Sequence, residues 1–340
     1  MQWQGKQNYM PDGKRPAKPY FMPDMDWQGK PYYTLDAYCK NTFGHKCYKI
    51  ALDAGMTCPN RDGTLGTNGC IFCSAGGSGD FAASGDNILT QIEDGKKKFG
   101  DKKIGEHFIA YFQAYTNTYA PLPYLKKVFT EALSEPAICG ISIATRPDCL
   151  DDDVLGLLSE LQQTFPGKFI WIELGLQTIH EDTAKYIRRG YELECFEASL
   201  NKLHHIHIPC IVHVILGLPG ETDAHIYQTI NYLNEKNIFG IKLQLLHVLA
   251  GTDLATDYQN GLFEVYEKEE YLDILIHCLE LLSTDIVIHR VTGDGPKDIL
   301  IAPRWSLNKR DVLNTLHKKM KEHNNYQGRL FNASRSIDTI

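Results

Sequence analysis

Short apolar runs alternate with longer amphipathic stretches from residue 48 to about residue 290. Runs at 48–54, 107–113, 138–144, 169–175, 210–216, 241–247 and 286–290 have the length and composition of strands. Between them, apolar positions recur at helical spacing near 87–99, 122–134, 151–163, 181–203, 223–236 and 268–283. Strand, helix, strand at this interval requires crossover connections, and therefore parallel strands in an α/β architecture. Six or seven such units predict a parallel (β/α) barrel, partial or complete, in preference to an open sheet.

The flanks read differently. Residues 1–40 have little periodicity and form an N-terminal extension, with the core barrel over 41–250. A C-terminal region, 251–322, completes the barrel or meets substrate, and a polar tail, 323–340, is expected to be weakly held. In the extension Lys6, Lys14, Arg15, Lys18 and Lys30 are interleaved with Tyr9, Tyr20, Phe21 and Trp27. That mixture suits nucleic-acid contact or an ordinary docked arm. Trp-Gln-Gly-Lys occurs at 3–6 and again at 27–30, which is too little for a repeat architecture.

Polar residues gather at one end of nearly every predicted strand. The second ends in Gln113-Ala-Tyr-Thr-Asn-Thr118, the third in Thr145-Arg-Pro-Asp148 and the fourth in Glu173-Leu-Gly-Leu-Gln177. The fifth ends in Gly217-Leu-Pro-Gly-Glu221, the sixth at His247 and the seventh at His289-Arg290. In a parallel barrel the chemistry sits at the carboxyl ends of the strands. After the first strand comes a Gly/Asn/Asp-rich loop carrying Cys58, Cys70 and Cys73 as Cys-x11-Cys-x2-Cys. Such a loop can wrap three thiolates around a metal centre. The alternative is zinc with Cys47 or His45 as fourth ligand, although structural zinc usually takes two close pairs.

Composition narrows the setting. The 340 residues carry Lys+Arg 35 against Asp+Glu 42, a net charge of −7, which argues against nonspecific coating of nucleic acid but allows a local basic groove. No apolar stretch is long enough to span a bilayer and the N-terminus lacks a signal-peptide core, so a cytoplasmic, membrane-free protein is expected. Ten cysteines in that reducing setting imply metal binding plus buried thiols.

In this order the motifs resemble the radical S-adenosylmethionine (SAM) superfamily. Ala144-Thr-Arg-Pro-Asp148, Glu173-Leu-Gly-Leu-Gln177, Arg189-Gly190 and Gly217-Leu-Pro-Gly-Glu221 are similar to the branch of the elongator catalytic subunit and oxygen-independent coproporphyrinogen dehydrogenase. Cys58-Pro-Asn-Arg-Asp-Gly63, Leu246-His-Val-Leu249 and Thr292-Gly-Asp-Gly-Pro296 resemble its bacterial YtqA/YhcC-type subgroup. The likeness covers roughly residues 40–320, although the first gap of the cysteine motif departs from the commonest spacing.

The resemblance implies that Cys58, Cys70 and Cys73 ligate a 4Fe-4S cluster, with one iron left for SAM. It places Phe72 near adenine and Gln113, Thr116, Asn117 and Thr118 toward the SAM amino group, where many relatives have a glycine-rich motif. Glu173 and Gln177 would face the ribose or methionine portion, with Ile215 and Gly217 against adenine. The cofactor pair would yield a 5′-deoxyadenosyl radical, reduced by a donor such as a flavodoxin or ferredoxin. The implied substrate is tRNA wobble uridine, with 5-carboxymethylaminomethyl-(2-thio)uridine converted to the 5-aminomethyl form for a separate methyltransferase. Radical chemistry on a small molecule such as a porphyrinogen, and a zinc-stabilised RNA-binding module, are the competing functions.

Other residues have plainer readings. Cys39, Cys47, Cys139, Cys149, Cys195, Cys210 and Cys278 lack paired ligand spacing and read as buried or incidental thiols, so no second cluster is expected. His204, His205 and His207 precede the fifth strand, on the amino-terminal face, whereas His247 and His289 stand at strand ends and can be core or site residues. Glu173 is also expected to pair with a neighbour such as Arg146. Lys96, Lys97, Lys98, Lys102 and Lys103 read as a solvated face or a phosphate track.

Overall fold

The computed structural model describes residues 27–77, 79–82, 87–99 and 106–331. The basic-aromatic residues up to Phe21, with Lys102 and Lys103, lie outside them. The elements run α1 (Leu35–Phe43), β1 (Tyr48–Leu52), α2 (Ile88–Lys98), β2 (Phe108–Phe112), α3 (Leu122–Ser134), β3 (Ile138–Thr145) and α4 (Asp152–Thr164). Then come β4 (Phe169–Gln177), α5 (Glu181–Tyr186), α6 (Leu193–His205), β5 (Cys210–Leu216), α7 (Asp223–Asn234), β6 (Gly240–Leu245) and β7 (Val248–Leu249). The chain closes with α8 (Asp253–Gln259), α9 (Lys268–Leu281), β8 (Val287–Arg290), β9 (Leu300–Ala302) and α10 (Lys309–Glu322).

Seven strands form one parallel sheet in the order β1-β2-β3-β4-β5-β6-β8, curled into a half-barrel. The barrel is therefore partial. On β4, Ile170, Ile172, Leu174 and Leu176 point outward into the main core, where Leu158 of α4 and Phe196 of α6 cover them. Alternate residues Trp171 and Glu173 point inward and are equally buried. Burial on both faces is what makes such strands continuous apolar runs. All seven predicted strands are present, with ends shifted by a few residues.

The amino-terminal mouth of the half-barrel is closed by α1. Thr34 caps this helix through Oγ1, which accepts from Ala37 N at 3.1 Å, and Gly44 ends it in the left-handed region at φ 79°. Tyr38 packs edge-on against Trp171 and Phe239, and Phe43 stacks on Phe169. The segment before it runs beside β8, where Ile288 N donates to Tyr33 O at 2.8 Å.

Two expectations change. The helical stretch 181–203 is broken into α5 and α6, because Arg188 and Gly190 take positive φ and Arg189 draws in the surrounding backbone. The Arg189 guanidinium, 1% exposed, donates to the carbonyls of Leu176, Thr178 and Tyr191 and to Glu181. Residues 323–331 are docked rather than loose. Buried Gln327 accepts from Tyr33 N and donates to the carbonyls of Ser283 and Ile286. None of the described helices is long and apolar enough to cross a membrane.

Candidate active site

The cysteine loop leaves the carboxyl end of β1 and folds back on itself. Arg61 N donates to Cys58 O at 2.8 Å, Leu65 N to Pro59 O at 2.8 Å, and Gly69 N to Asn60 O at 2.8 Å. These bonds return Cys70 toward Cys58 despite the long first gap. The Asn60 amide donates to Cys70 Sγ at 3.5 Å and to Arg188 O at 2.8 Å, which ties the loop to the α5–α6 break. Arg61 donates to the carbonyls of Cys73 and Ser74 at 2.8 and 2.6 Å. Desolvation, then the neighbouring Cys73, pushes the Cys70 thiol up to about 12, while burial raises Cys73 against the pull of Arg61. Coordination to a metal centre reverses such shifts outright.

All three thiols line one cavity at the carboxyl ends of the strands. Phe72, Gln113, Thr116, Glu173, Gln177 and Ile215 line it too. Gln177 sits at a bulge with φ 67°, and its Oε1 is buried without a hydrogen-bond partner. A buried, unsatisfied acceptor on a cavity wall fits a ligand that brings a donor.

Three predicted residues lie outside the cavity lining. Asn117 is fully buried and donates to the carbonyls of Phe112 and Ala144, so its side chain joins two strand ends. Thr118 bonds Thr145 and Cys149 O. Gly217 lies beneath Tyr266, whose ring stands 3.0 Å from where a Cβ would be.

Below the cavity a polar layer crosses the barrel. Glu173 accepts from Ser142 at 2.6 Å, from Lys49 at 2.7 Å and, in direct contact, from Lys242. His213 bonds Oε2, the oxygen that Lys242 also contacts, at 2.7 Å, and Lys242 reaches Tyr111 Oη at 2.9 Å. Burial opposes the Glu173 charge, but Lys242 and Lys49, with His213, outweigh it and hold the carboxyl well below its usual range. Burial and the Lys242 charge lower His213 to about 4, which leaves it neutral at physiological pH. The expected Glu173–Arg146 pair is absent. Arg146 instead clamps Asp148 with two nitrogens at 2.9 and 2.7 Å and lies over the Tyr191 ring.

Sequence reasoning passed over Lys49, Tyr111, Ser142, His213 and Lys242. Each occupies an inward position of a buried strand, and a polar residue at that parity is the signal that reveals it. It also passed over Tyr191 and undervalued Arg290 and Asp294, which line the wall facing the thiols. His247, on the same wall, bonds Ser306 Oγ at 3.2 Å and is lowered by burial to about 4. His289 is half-buried, with both ring nitrogens buried and unpartnered, beside Trp171 and Phe239.

The zinc alternative fails on position. His45 and Cys47 precede β1 and the cysteine loop follows it, so about five residues of strand, roughly 16 Å, separate them. Among the described residues, the three His/Cys/Asp/Glu side chains whose ligand atoms all fall within 4.8 Å are His45, Cys47 and Cys139. The three loop thiols do not form such a single-ion group with His45 or Cys47.

Comparison with known proteins accords with this geometry. The Radical SAM superfamily profile matches residues 63–233, and the Radical_SAM C-terminal domain profile matches 238–322. YtqA of Bacillus subtilis (strain 168) is 43% identical over 300 residues, 88% of this chain and 92% of that protein. A tRNA uridine(34) acetyltransferase of Methanocaldococcus jannaschii is 22% identical over 193 residues, 56% of this chain and 34% of that protein. The solved structure of Methanocaldococcus infernus Elp3, lacking its N-terminus, shares the fold with TM-score 0.61 at 15% identity, covering 83% of this chain and 64% of that one. The zinc-stabilised binding module is thereby overturned, and the chain belongs to the radical SAM superfamily, whose enzymes use a 4Fe-4S cluster and S-adenosylmethionine.

Proposed function

We propose that this enzyme modifies the wobble uridine of tRNA, removing the carboxymethyl group of 5-carboxymethylaminomethyl-(2-thio)uridine to leave the 5-aminomethyl form. The observation that carries it is the shared cavity, where three loop thiols and the unpartnered Gln177 Oε1 face a wall holding Arg290. Arg290 has only a loose contact with Asp294, 3.6 Å away, and suits the glycine-like carboxylate of this substrate. The archaeal relative, a tRNA uridine(34) acetyltransferase, supports the choice of nucleoside.

In this reading Cys58, Cys70 and Cys73 hold the 4Fe-4S cluster, and SAM lies against Phe72, Gln113, Thr116, Gln177 and Ile215. When bound, the pair supplies a 5′-deoxyadenosyl radical that removes one hydrogen atom. The protein's residues position and shield. Arg61 fixes the backbone after Cys73, Gln177 accepts from a SAM hydroxyl or ammonium, and Phe72, Ile215 and Leu246 keep water from the reacting carbon. Arg290 turns the substrate methylene, flanked by nitrogen and carboxylate, toward the radical. Loss of that hydrogen atom, then of one proton and one electron, which the oxidised cluster would take back, gives a carbon–nitrogen double bond. Water adds across it, glyoxylate leaves and the aminomethyl uridine remains. A flavodoxin or ferredoxin supplies reducing electrons, and a methyltransferase takes the product. The cytoplasm, which keeps thiols reduced, suits the cluster.

Mass spectrometry of tRNA nucleosides from cells with and without the gene tests the proposal. Accumulated carboxymethylaminomethyl-uridine and lost aminomethyl-uridine are expected on deletion. Unchanged aminomethyl-uridine, or purified enzyme that consumes SAM with a metabolite extract but not with tRNA, would sink it.

A further inference from the structure

The closed mouth of the barrel, at the end away from the cavity, collects soft metal donors from separate parts of the chain. His45 Nδ1 and Cys47 Sγ are 3.7 Å apart, and with Cys139 their ligand atoms all lie within 4.8 Å of one another. The His107 ring stacks on His45 with centroids 3.4 Å apart and 11° between planes. Cys39, on α1, is buried in the same cluster as Cys47. We propose that this cluster is a second metal site, holding one zinc ion through His45, Cys47 and Cys139.

The backbone explains how such distant residues meet. His45 and Cys47 are two apart in the segment entering β1, and so share one side of it. Tyr48 pairs with Phe108, which sets His107 beside Cys47 across the β1–β2 edge. Cys139 is the extra residue of a bulge, because Phe108 pairs with Ile138 and Ile109 with Gly140. A bulge leaves its extra residue out of the ladder and re-aims its side chain. Here that side chain is a thiol, turned toward another thiol and two imidazoles.

The chemistry and dimensions select zinc. Tetrahedral zinc, with bonds of ~2.3 Å to sulfur and ~2.1 Å to nitrogen, sets a sulfur and a nitrogen ligand about 3.6 Å apart. The His45–Cys47 spacing meets that value. Two thiolates with one imidazole are a soft donor set that suits zinc, with water completing the tetrahedron beside the His107 ring. Buried Cys39 would then donate its S–H to the Cys47 thiolate, as partners of metal-bound sulfur do. Ile109, Trp171 and Ile211 lie between this site and the polar layer, so its role is structural. It fastens the segment between α1 and β1 to the start of β3.

Metal analysis of the full-length protein, purified anaerobically and dialysed against a chelator, tests this. One zinc per chain is expected beside the cluster iron. Cys58→Ala/Cys70→Ala/Cys73→Ala should lose the iron and keep the zinc, while Cys47→Ser/Cys139→Ser should lose the zinc and still take up iron. Cobalt in the first variant should show tetrahedral bands and thiolate-to-cobalt charge transfer, and Cys139→Ser should weaken them. Should the Cys47/Cys139 variant fail to fold, His45→Ala/His107→Ala, at half-buried positions, carries the test through loss of zinc. Zinc that disappears with the Cys58, Cys70 and Cys73 thiols, or that survives the histidine changes at full stoichiometry, overturns the site.

Discussion

Glu173→Gln keeps the side-chain volume and removes the anion on which the polar layer converges. Lys49 is 21% exposed in its side chain and can turn to water, but Lys242, 4% exposed, cannot. The variant therefore leaves Lys242, which burial already holds well below the usual ammonium range, without its counter-charge beside Tyr111 and His213, so it must lose its proton or stay charged and unpaired. Removing one partner of a buried ion pair typically costs about 3–5 kcal/mol. At ~2–4 °C per kcal/mol for large domains, thermal unfolding should fall by roughly 6–20 °C. The pH dependence has a definite sign. Because the folded carboxyl is held below its unfolded value, its contribution is fully present above about pH 4.3 and is lost as pH falls toward the folded value. The gap between wild type and variant should thus be widest near neutrality and close in acid. Glu173→Gln/Lys242→Met, which removes both charges, should recover most of the loss. Anaerobic calorimetry or urea unfolding reads stability, and titration calorimetry reads SAM affinity. A loss below about 1 kcal/mol together with abolished SAM binding would refute the reasoning and make Glu173 a ligand contact first.

Gln177→Ala should weaken SAM about tenfold by titration calorimetry, the equivalent of one hydrogen bond to its unpartnered oxygen. Its melting temperature should barely move, since Oε1 has no partner to lose within the protein. Gly190→Ala forces a Cβ onto a residue with φ 82°, 2.7 Å from Asn60 Oδ1, at a cost of about 1–3 kcal/mol. Because Asn60 also holds Cys70, iron should leave this variant faster under chelator, and unchanged release would disconnect the α5–α6 break from the cluster loop.

The strands were legible because each is buried on both faces, which leaves an apolar run that few other structures produce. The helix α1 was not, since nine residues span too few turns to establish a period, and its Lys40 and Asn41 face solvent. Nor was the break at Arg189, where the cause is one guanidinium reaching carbonyls on β4 and in the loop after it. The cysteine loop was legible for the opposite reason, its ligands being local and the folding-back of its first gap needing only turn residues. Glu173 shows where this kind of reading stops. A motif singled it out as a cofactor contact, yet Lys49, Ser142, His213 and Lys242, which decide its charge, lie one per strand on four other strands. Strand register is what assembles them, and register is the same device that sets His107 and Cys139 beside Cys47 at the opposite end. Two groups of cysteines in one chain therefore differ in how they can be found. Spacing along the chain exposes the one at the carboxyl ends, and only the pairing of strands exposes the other.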